Sequence, residues 1–284
     1  MSVICDKYNF KEKLVAQTYD GAAVMAGHLN GLQAKIKSVA PQALFTHCHA
    51  HSLNLVLSKA CNISKDCRIF FANLSGFAPF FTKSTKRTNV LNQICGSRIP
   101  TLSATRWNFT SHSVFTIYKN KNKLIEVFDF IMDSDEFKND AQSVREAESL
   151  KRYLNDQKFC FLLETFKLIF EQTEPIFLIL QNKLTDINFS KNRILKLTQT
   201  LQDFKNNDNY FNNIYTLISN SSNANRRKTC LDLPNLRLNF KIIFVEILDT
   251  IMTQIEVRFS DLDKLKFFDL LTPDNYLLYV KTTI

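Results

Sequence analysis

The chain has 284 residues, of which 45% are hydrophobic and 12% aromatic, enough apolar surface for one large packed domain or two ordinary ones. This composition excludes a disordered tail. Five Gly, six Pro and 25 Phe predict long helices with aromatic packing and argue against a turn-rich β fold. The net charge of +9 suits either a polyanionic partner or an ordinary solvated basic surface. Clusters of basic residues lie at 83–87, 119–123 and 226–228.

Cysteine usage and the longest apolar stretch limit the environment of the protein. Seven cysteines, an odd number at irregular spacing, predict a reducing compartment. The stretch at residues 69–81 is interrupted by Asn73, Ser75 and Gly76 and is too short to cross a bilayer. We therefore expect an intracellular protein without a membrane anchor.

Before residue 105 the pattern alternates between short β-like runs and helical runs. Residues 14–18 and 43–46 are predicted strands, and residues 22–39 and 52–60 are predicted helices. This alternation is typical of an α/β unit.

After residue 105 the apolar spacing is helical almost throughout. Two stripes comprise Leu162, Phe166, Ile169 and Phe170, and Ile194, Leu197, Leu201 and Phe204. The clearest stripe comprises Phe240, Ile243, Phe244, Ile247, Leu248, Ile251, Ile255, Phe259 and Leu262. The Asn- and Ser-rich residues 206–225 are predicted to be an exposed connection. The sequence therefore predicts a mainly α fold, with an α/β part at residues 1–105 and a helical part at residues 106–284.

Asp20 follows the first predicted strand directly and precedes a helix. A carboxylate held at the end of a sheet is suited to bind a divalent cation through oxygen. An Asp in front of a helix is equally suited to be its N-cap. From the residues alone, the cap is the favoured interpretation.

Cys48 and His51 have the C-x-x-H spacing of half a zinc site, which Cys61 and Cys67 would complete. The gaps between these residues do not match a compact zinc knuckle. The favoured interpretation is that Cys48 and His51 pack and hydrogen-bond at a strand-to-helix corner.

Two more histidines, His47 and His49, flank Cys48. Because side chains alternate along a strand, both are predicted to face away from Cys48. They would then lie apart from the C-x-x-H pair.

SATRWNF, residues 103–109, contains the only Trp of the chain, preceded by Arg106. If this pair is exposed, the guanidinium is suited to bind phosphate and the indole of Trp107 to stack on an unpaired base. A single Trp is also often a core anchor, and both interpretations stay open from the residues alone.

Together these segments resemble the hAT superfamily of DNA transposases. The phrases YDGAAVMAG with HLNGLQAKIK, HCHAHSLNLVLS and LSATRWNF match in order and spacing, most closely the transposase-derived members described as zinc finger MYM-type proteins. The match is specific at residues 14–60 and 101–109. The helical remainder agrees with the family in its helical spacing of apolar residues and in the segment FKIIFVEILDTIMTQIEVRFSDL.

The resemblance implies a partial RNase H-like core at residues 1–105 followed by a helical insertion domain at residues 106–284. In the family, three acidic residues bind two divalent metals, Mg²⁺ or Mn²⁺, for strand cleavage and joining. Asp20 matches the second acid, and Cys48 and His51 match a C-x-x-H motif close to the active site. Trp107 matches the tryptophan that stacks on a flipped base. A nuclear location follows from the same resemblance.

This sequence also departs from the family pattern. The first Asp and the final Glu of the family have no match, and Val24 replaces an Asn beside the metal position. We therefore expect a fragment or degenerate copy that lacks strand transfer as given, needs no cofactor, and keeps residual DNA binding. Its unpaired strand edges would leave the α/β part less ordered or paired with another chain.

Two alternatives remain open. The helical part could act as an interaction or dimerisation scaffold through its Phe-rich stripes, without DNA. In the other alternative, Glu164 or Glu246 replaces a lost carboxylate, and the protein is an active nuclease or transposase.

Overall fold

The computed structural model of the protein describes residues 9–101, 107–182, 187–222 and 233–262. Across these residues the chain is mainly helical, which confirms the predicted class, with thirteen α-helices and two strands. The first elements are α1 (Phe10–Lys13), β1 (Ala16–Tyr19), α2 (Ala23–Ala26), α3 (Leu32–Val39) and β2 (Leu44–His47). The bundle follows: α4 (His49–Cys61), α5 (Lys65–Thr82), α6 (Thr85–Cys95), α7 (Trp107–Lys119), α8 (Lys121–Asp133), α9 (Ala141–Asn155), α10 (Gln157–Gln181), α11 (Ile187–Asn206), α12 (Asp208–Ser222) and α13 (Leu233–Phe259).

The two strands form one small parallel sheet. They pair in register from Ala16 opposite Leu44 to Tyr19 opposite His47. Thr18 donates its hydroxyl to the carbonyl oxygen of Thr46 at 2.9 Å, which ties the strand centres together. Each strand begins one or two residues later than the sequence pattern predicts, and α2 and α3 form the crossover between them.

The helix predicted at residues 22–39 is wrong, because two glycines divide it into α2 and α3. The Gly31 N–H donates to the Gly27 carbonyl at 3.1 Å, so the two backbones almost touch. A Cβ added at Gly31 would lie 2.4 Å from the Gly27 nitrogen, and one added at Gly27 would lie 2.5 Å from the Ala23 oxygen. Only glycine fits this contact, and the chain turns there.

A small apolar cluster lies between α3 and the sheet. Ile36, Ala40 and Ala43 are buried, with Tyr19 and Leu32 packed against them. These few side chains are separate from the main core and bury little surface. Region 9–47, called the sheet unit below, therefore has a modest core of its own.

The bundle has a large aromatic core, and all three predicted apolar stripes lie inside it. Phe161 on α10 stacks on Phe240 of α13 with ring centroids 4.4 Å apart. The exposed connection predicted at residues 206–225 is wrong where it coincides with α12, because Phe211, Ile214 and Ile218 are buried. Their spacing at i, i+3 and i+7 forms one helical face among the Asn residues, and that face overrides the loop-like composition.

Helix α4 connects the sheet unit to the bundle. It begins directly after β2 and packs along α13 and against α10. The main cluster of buried side chains extends from Ala50 to Leu262 without interruption at residue 105. The division at residue 105 stays a prediction, and α4 packs with the helices that follow it. No helix among the described residues combines the length and apolar character needed to span a membrane.

Candidate nucleic-acid interface

Asp20 lies exposed at the carboxyl end of β1. Its Oδ1 accepts a hydrogen bond from the backbone N–H of Ala22 at 3.2 Å. Ala22, not Asp20, is the N-cap residue of α2, and its side chain makes no capping bond. The cap interpretation is therefore wrong. The Asp20 carboxylate instead closes a turn just before the helix, and its other oxygen accepts no hydrogen bond from the described residues.

His51 lies beside this turn. A Cβ added at Gly21 would lie 3.5 Å from His51 Nε2, so the backbone after Asp20 passes close to the imidazole. Cys48 is the N-cap residue of α4, and its N–H donates to the Tyr19 carbonyl at 2.7 Å, which extends the strand pairing by one bond. The ends of two parallel strands thus bring the Asp20–Gly21 turn and the C-x-x-H motif together, as parallel pairing requires.

Cys48 also borders a cleft of about 400 Å³ between the sheet and the bundle. Thr18 and Thr46 form one wall of the cleft, and Leu180 and Asn182 at the end of α10 form the other. Cys48 packs partly against the main core and is a free thiol. The strand-to-helix corner that the sequence predicts is therefore where Cys48 and His51 lie.

The four-ligand zinc interpretation does not fit the geometry. Cys61 ends α4, twelve residues after His49, which places it about 18 Å along the helix axis. Cys67 lies near Cys61, and burial together with the Cys67 charge raises the pKa of the Cys61 thiol well above its usual range. These two thiols belong to the core at the opposite end of α4 from Cys48 and His51.

His47 and His49 do not share one strand face, so that prediction is wrong. His47 is the last residue of β2 and lies edge-on to the Phe45 ring, with centroids 4.9 Å apart. His49 is the first residue of α4, with its ring 5.8 Å from that of Phe259 on α13. Burial lowers the pKa of His49, and the nearby Asp261 carboxylate opposes that shift. The helix starts too early for strand alternation to apply.

Trp107 begins α7, and Arg106 lies outside the described residues. Helix α7 runs antiparallel to α10, because His112 Nε2 lies 3.1 Å from Glu174 Oε1 while Lys167 Nζ lies 4.7 Å from the Tyr118 ring centroid. The start of α7 therefore points toward the end of α10 that borders the Cys48 cleft.

The predicted site residues consequently meet at one end of the bundle. We call this region, defined by Asp20, Gly21, Cys48, His51 and the start of α7, the sheet end. The sequence separates its members by up to 87 residues, and parallel strand pairing and the α7–α10 packing bring them to the same end.

The described part of the sheet end does not form a two-metal centre. No group of three or more His, Cys, Asp or Glu side chains among the described residues is arranged to hold an ion. Such a centre needs several carboxylates around two ions, and Asp20 is the single carboxylate that the turn supplies. No metal-dependent step is therefore assigned to these residues.

Neither glutamate suggested as a replacement ligand lies at the sheet end. Glu164 precedes Leu180 by sixteen residues on α10, about 24 Å along the axis, and burial raises the pKa of its carboxyl. Glu246 precedes Phe259 by thirteen residues on α13, about 20 Å along the axis. It lies near Cys67, whose thiol pKa is raised by burial and further by the Glu246 charge. Both belong to other parts of the bundle.

The three clusters of basic residues noted in the sequence have different surroundings. Arg87 is buried, with its Nη1 3.3 Å from Glu146 Oε2 and its guanidinium carbon 4.4 Å from the Phe80 ring centroid. It is a structural cation, unlike the exposed Lys119 and Lys123. Residues 226–228 lie outside the described residues.

Charge is strongly segregated along the chain, a signal that simple counting reveals. Residues 1–123 contain 16 Lys and Arg against 4 Asp and Glu, whereas residues 124–284 contain 20 against 23. Among the described residues up to 123, Arg87 is the one Lys or Arg with a carboxylate within ion-pair distance. Of the thirteen described Lys and Arg after residue 123, at least seven lie within ion-pair distance of a carboxylate, including Lys151 with Asp129, Lys205 with Asp249 and Lys241 with Asp208. The excess positive charge therefore belongs to residues 1–123, and their described cations are mostly without a carboxylate partner.

No protein-family profile matches this sequence, and no solved structure matches this fold.

Proposed function

We propose that the protein is a transposase-derived, hAT-like protein that binds DNA at the sheet end and does not perform strand transfer as this chain. The proposal includes a partial RNase H-like core built around β1 and β2, and a nuclear location. The observation that carries it is the meeting of Asp20, Cys48, His51 and the start of α7 at one end of the bundle. All of them belong to residues 1–123, the part of the sequence that carries the excess positive charge.

The charge distribution supports a polyanionic partner. Cations that have no carboxylate partner release counterions when they bind phosphate, and this release drives association with DNA. Ion-paired cations of the later helices would first have to give up their carboxylate partners. Residues 1–123, with 16 cations and 4 acids, therefore supply the cations better suited to contact a polyanion.

The role proposed for Trp107 is stacking on an unpaired base. Its helix begins at the sheet end, and a base stacked on an aromatic side chain contributes about 1–3 kcal/mol of binding free energy. The neighbouring Arg106 would neutralise a phosphate beside that base. Loss of the indole should therefore weaken binding to hairpin or single-stranded ends more than binding to plain duplex.

The test is fluorescence anisotropy with hairpin, single-stranded and duplex DNA, on wild type, Trp107→Ala and Trp107→Phe. We expect Trp107→Ala to weaken hairpin binding by roughly tenfold or more, and Trp107→Phe to keep most of it, because a ring remains. Circular dichroism checks that the helical content of the variants equals that of wild type. Equal binding by Trp107→Ala and wild type would remove Trp107 from the mechanism, and no binding by wild type at low salt would reject the DNA-binding function.

Absence of strand transfer is tested separately. Asp20 is the one carboxylate of the family's three that has a match here. We expect no nicking of supercoiled DNA in Mg²⁺ or Mn²⁺. Metal-dependent nicking that disappears in Asp20→Ala would overturn this part of the proposal.

A second candidate is the helical interaction scaffold, and one observation favours it. A groove of about 780 Å³ lies between α11 and α13, with apolar walls that include Leu195, Met252 and Phe259. Leu195 is about half exposed beside it. Sedimentation analysis distinguishes the candidates: a concentration-dependent dimer lost in Leu195→Asp would support the scaffold, and a salt-independent monomer would count against it.

A further inference from the structure

A basic surface lies at the opposite end of the bundle from the sheet end. Here α7 ends, α8 begins, and the segment after α6 passes beside them, since Asn120 Nδ2 donates to Ser97 Oγ at 3.4 Å. Lys119, Lys121 and Lys123 border a cleft of about 670 Å³ at this position. Arg98 follows Ser97 directly, and we call these four cations the basic corner.

The basic corner is distinct from the sheet end. Cys160, which also lines the cleft, precedes Leu180 by twenty residues of continuous helix, so the two sites lie about 30 Å apart along α10. A ligand at the Cys48 cleft therefore does not reach this surface unless it is long. A nucleic acid duplex has that length.

Three of the four cations of the basic corner are exposed and have no carboxylate partner among the described residues. Arg98, Lys119 and Lys123 are exposed, and within the described residues none of them lies within ion-pair distance of a carboxylate. Lys121 is half-buried and donates to Cys160 Sγ at 3.0 Å, which anchors the start of α8. No carboxylate paired with the exposed cations offsets their positive charge at the surface in the described part of the chain.

Acidic groups near the corner offset only part of this charge. Glu164 lines the cleft, and its interaction partners are Lys121 and Lys167, while burial raises the pKa of its carboxyl. Burial raises the pKa of the Cys95 and Cys160 thiols, and the charges of Glu126 and Asp156 nearby add to these shifts. The cleft itself is lined by three lysines against one glutamate.

We infer that the basic corner is a second contact for the phosphate backbone of duplex DNA, made by Lys119 and Lys123 with Arg98. This inference rests on the proposed function and assigns it a surface beyond the sheet end. The contact reads no sequence, because lysines on phosphates position a protein without contacting base edges. Duplex DNA presents one phosphate charge per about 1.7 Å of axis, which suits several separate cations better than a single small anion does.

The experiment measures binding of a fluorescein-labelled DNA duplex across a series of salt concentrations. Wild type is compared with Lys119→Gln/Lys123→Gln and with the matched control Lys138→Gln/Arg152→Gln. The control removes the same charge from exposed side chains that are paired with Asp135 and Glu148. Lys121 is left unchanged because it contacts Cys160.

We expect the lysine pair variant to bind roughly tenfold more weakly at low salt, with a slope of log affinity against log salt shallower by about 2. The control should keep the wild-type slope. Equal losses in both double variants would overturn the inference while the proposed function stands, since net charge alone would explain them. No binding by wild type at any salt concentration would overturn both.

Discussion

The sheet unit and the helical bundle differ in how much each one buries. The sheet unit has two four-residue strands and a cluster built on Ile36, Ala40 and Ala43. The bundle buries aromatic rings in contact with one another, including Phe161 on Phe240. Because apolar burial supplies most folding free energy, the bundle should set the global stability of the protein.

The difference also separates stability from the proposed function. Asp20 and Gly21 belong to the sheet unit, whereas Cys48 and His51 lie where α4 enters the bundle. The sheet end thus joins a weakly buried loop to a rigid helix. The loop side should open locally more often than the helix side, which makes the comparison measurable.

The largest expected effect is in the bundle core. Phe161→Ala removes a fully buried ring and should lower the free energy of unfolding by about 3–5 kcal/mol. Urea denaturation followed by circular dichroism measures this loss. Phe130→Ala, at a ring that is 43% exposed, is the control and should change stability by less than about 1 kcal/mol. Similar losses in both variants would show that the bundle core does not set global stability.

A smaller and local effect is expected in the sheet unit. Gly31→Ala forces a Cβ against the Gly27 backbone and should cost about 1–3 kcal/mol. Hydrogen exchange should accelerate at the amides of β1 and β2, while the urea midpoint of the bundle stays almost unchanged. Gly76→Ala, where the added Cβ would lie 3.6 Å from Leu150 Cδ2 in ordinary contact, is the control. A global shift caused by Gly31→Ala would mean that the two regions unfold together.

The smallest effect is a dependence of stability on pH at the junction of the two regions. Burial lowers the pKa of His49 below its ordinary value near 6.5, and Asp261 opposes the shift. Between the lowered and the ordinary pKa, the unfolded chain binds more protons at this imidazole than the folded chain does. The free energy of unfolding therefore rises with pH across that window, and stability falls on acidification.

The measurement compares urea midpoints from pH 7 down to pH 5 for wild type and His49→Gln. We expect the variant to lose less stability on acidification, because the partly buried imidazole is gone. His28→Gln, at an exposed histidine, is the control and should follow wild type. An unchanged pH profile in His49→Gln would remove this residue as a source of the acid sensitivity.

Helical periodicity was the most dependable sequence signal. The stripe from Phe240 to Leu262 is buried as predicted, because a 3.6-residue period reports directly which face a helix hides. Composition was less dependable: Asn-rich residues 208–222 form a helix, and the glycines at 27 and 31 divide one that looked continuous. In both places a few residues decided the structure, and the average composition of the segment predicted the wrong one.

The amino-acid sequence by itself determined the mainly helical class, the positions of the two strands within two residues, and the concentration of net positive charge in residues 1–123. These properties depend on local spacing and on counting. Only the tertiary structure decided that Gly21 lies against His51, that Cys61 lies far from Cys48, and that α7 starts at the sheet end. Such proximities depend on strand pairing and helix packing between residues distant in sequence, which no local pattern encodes.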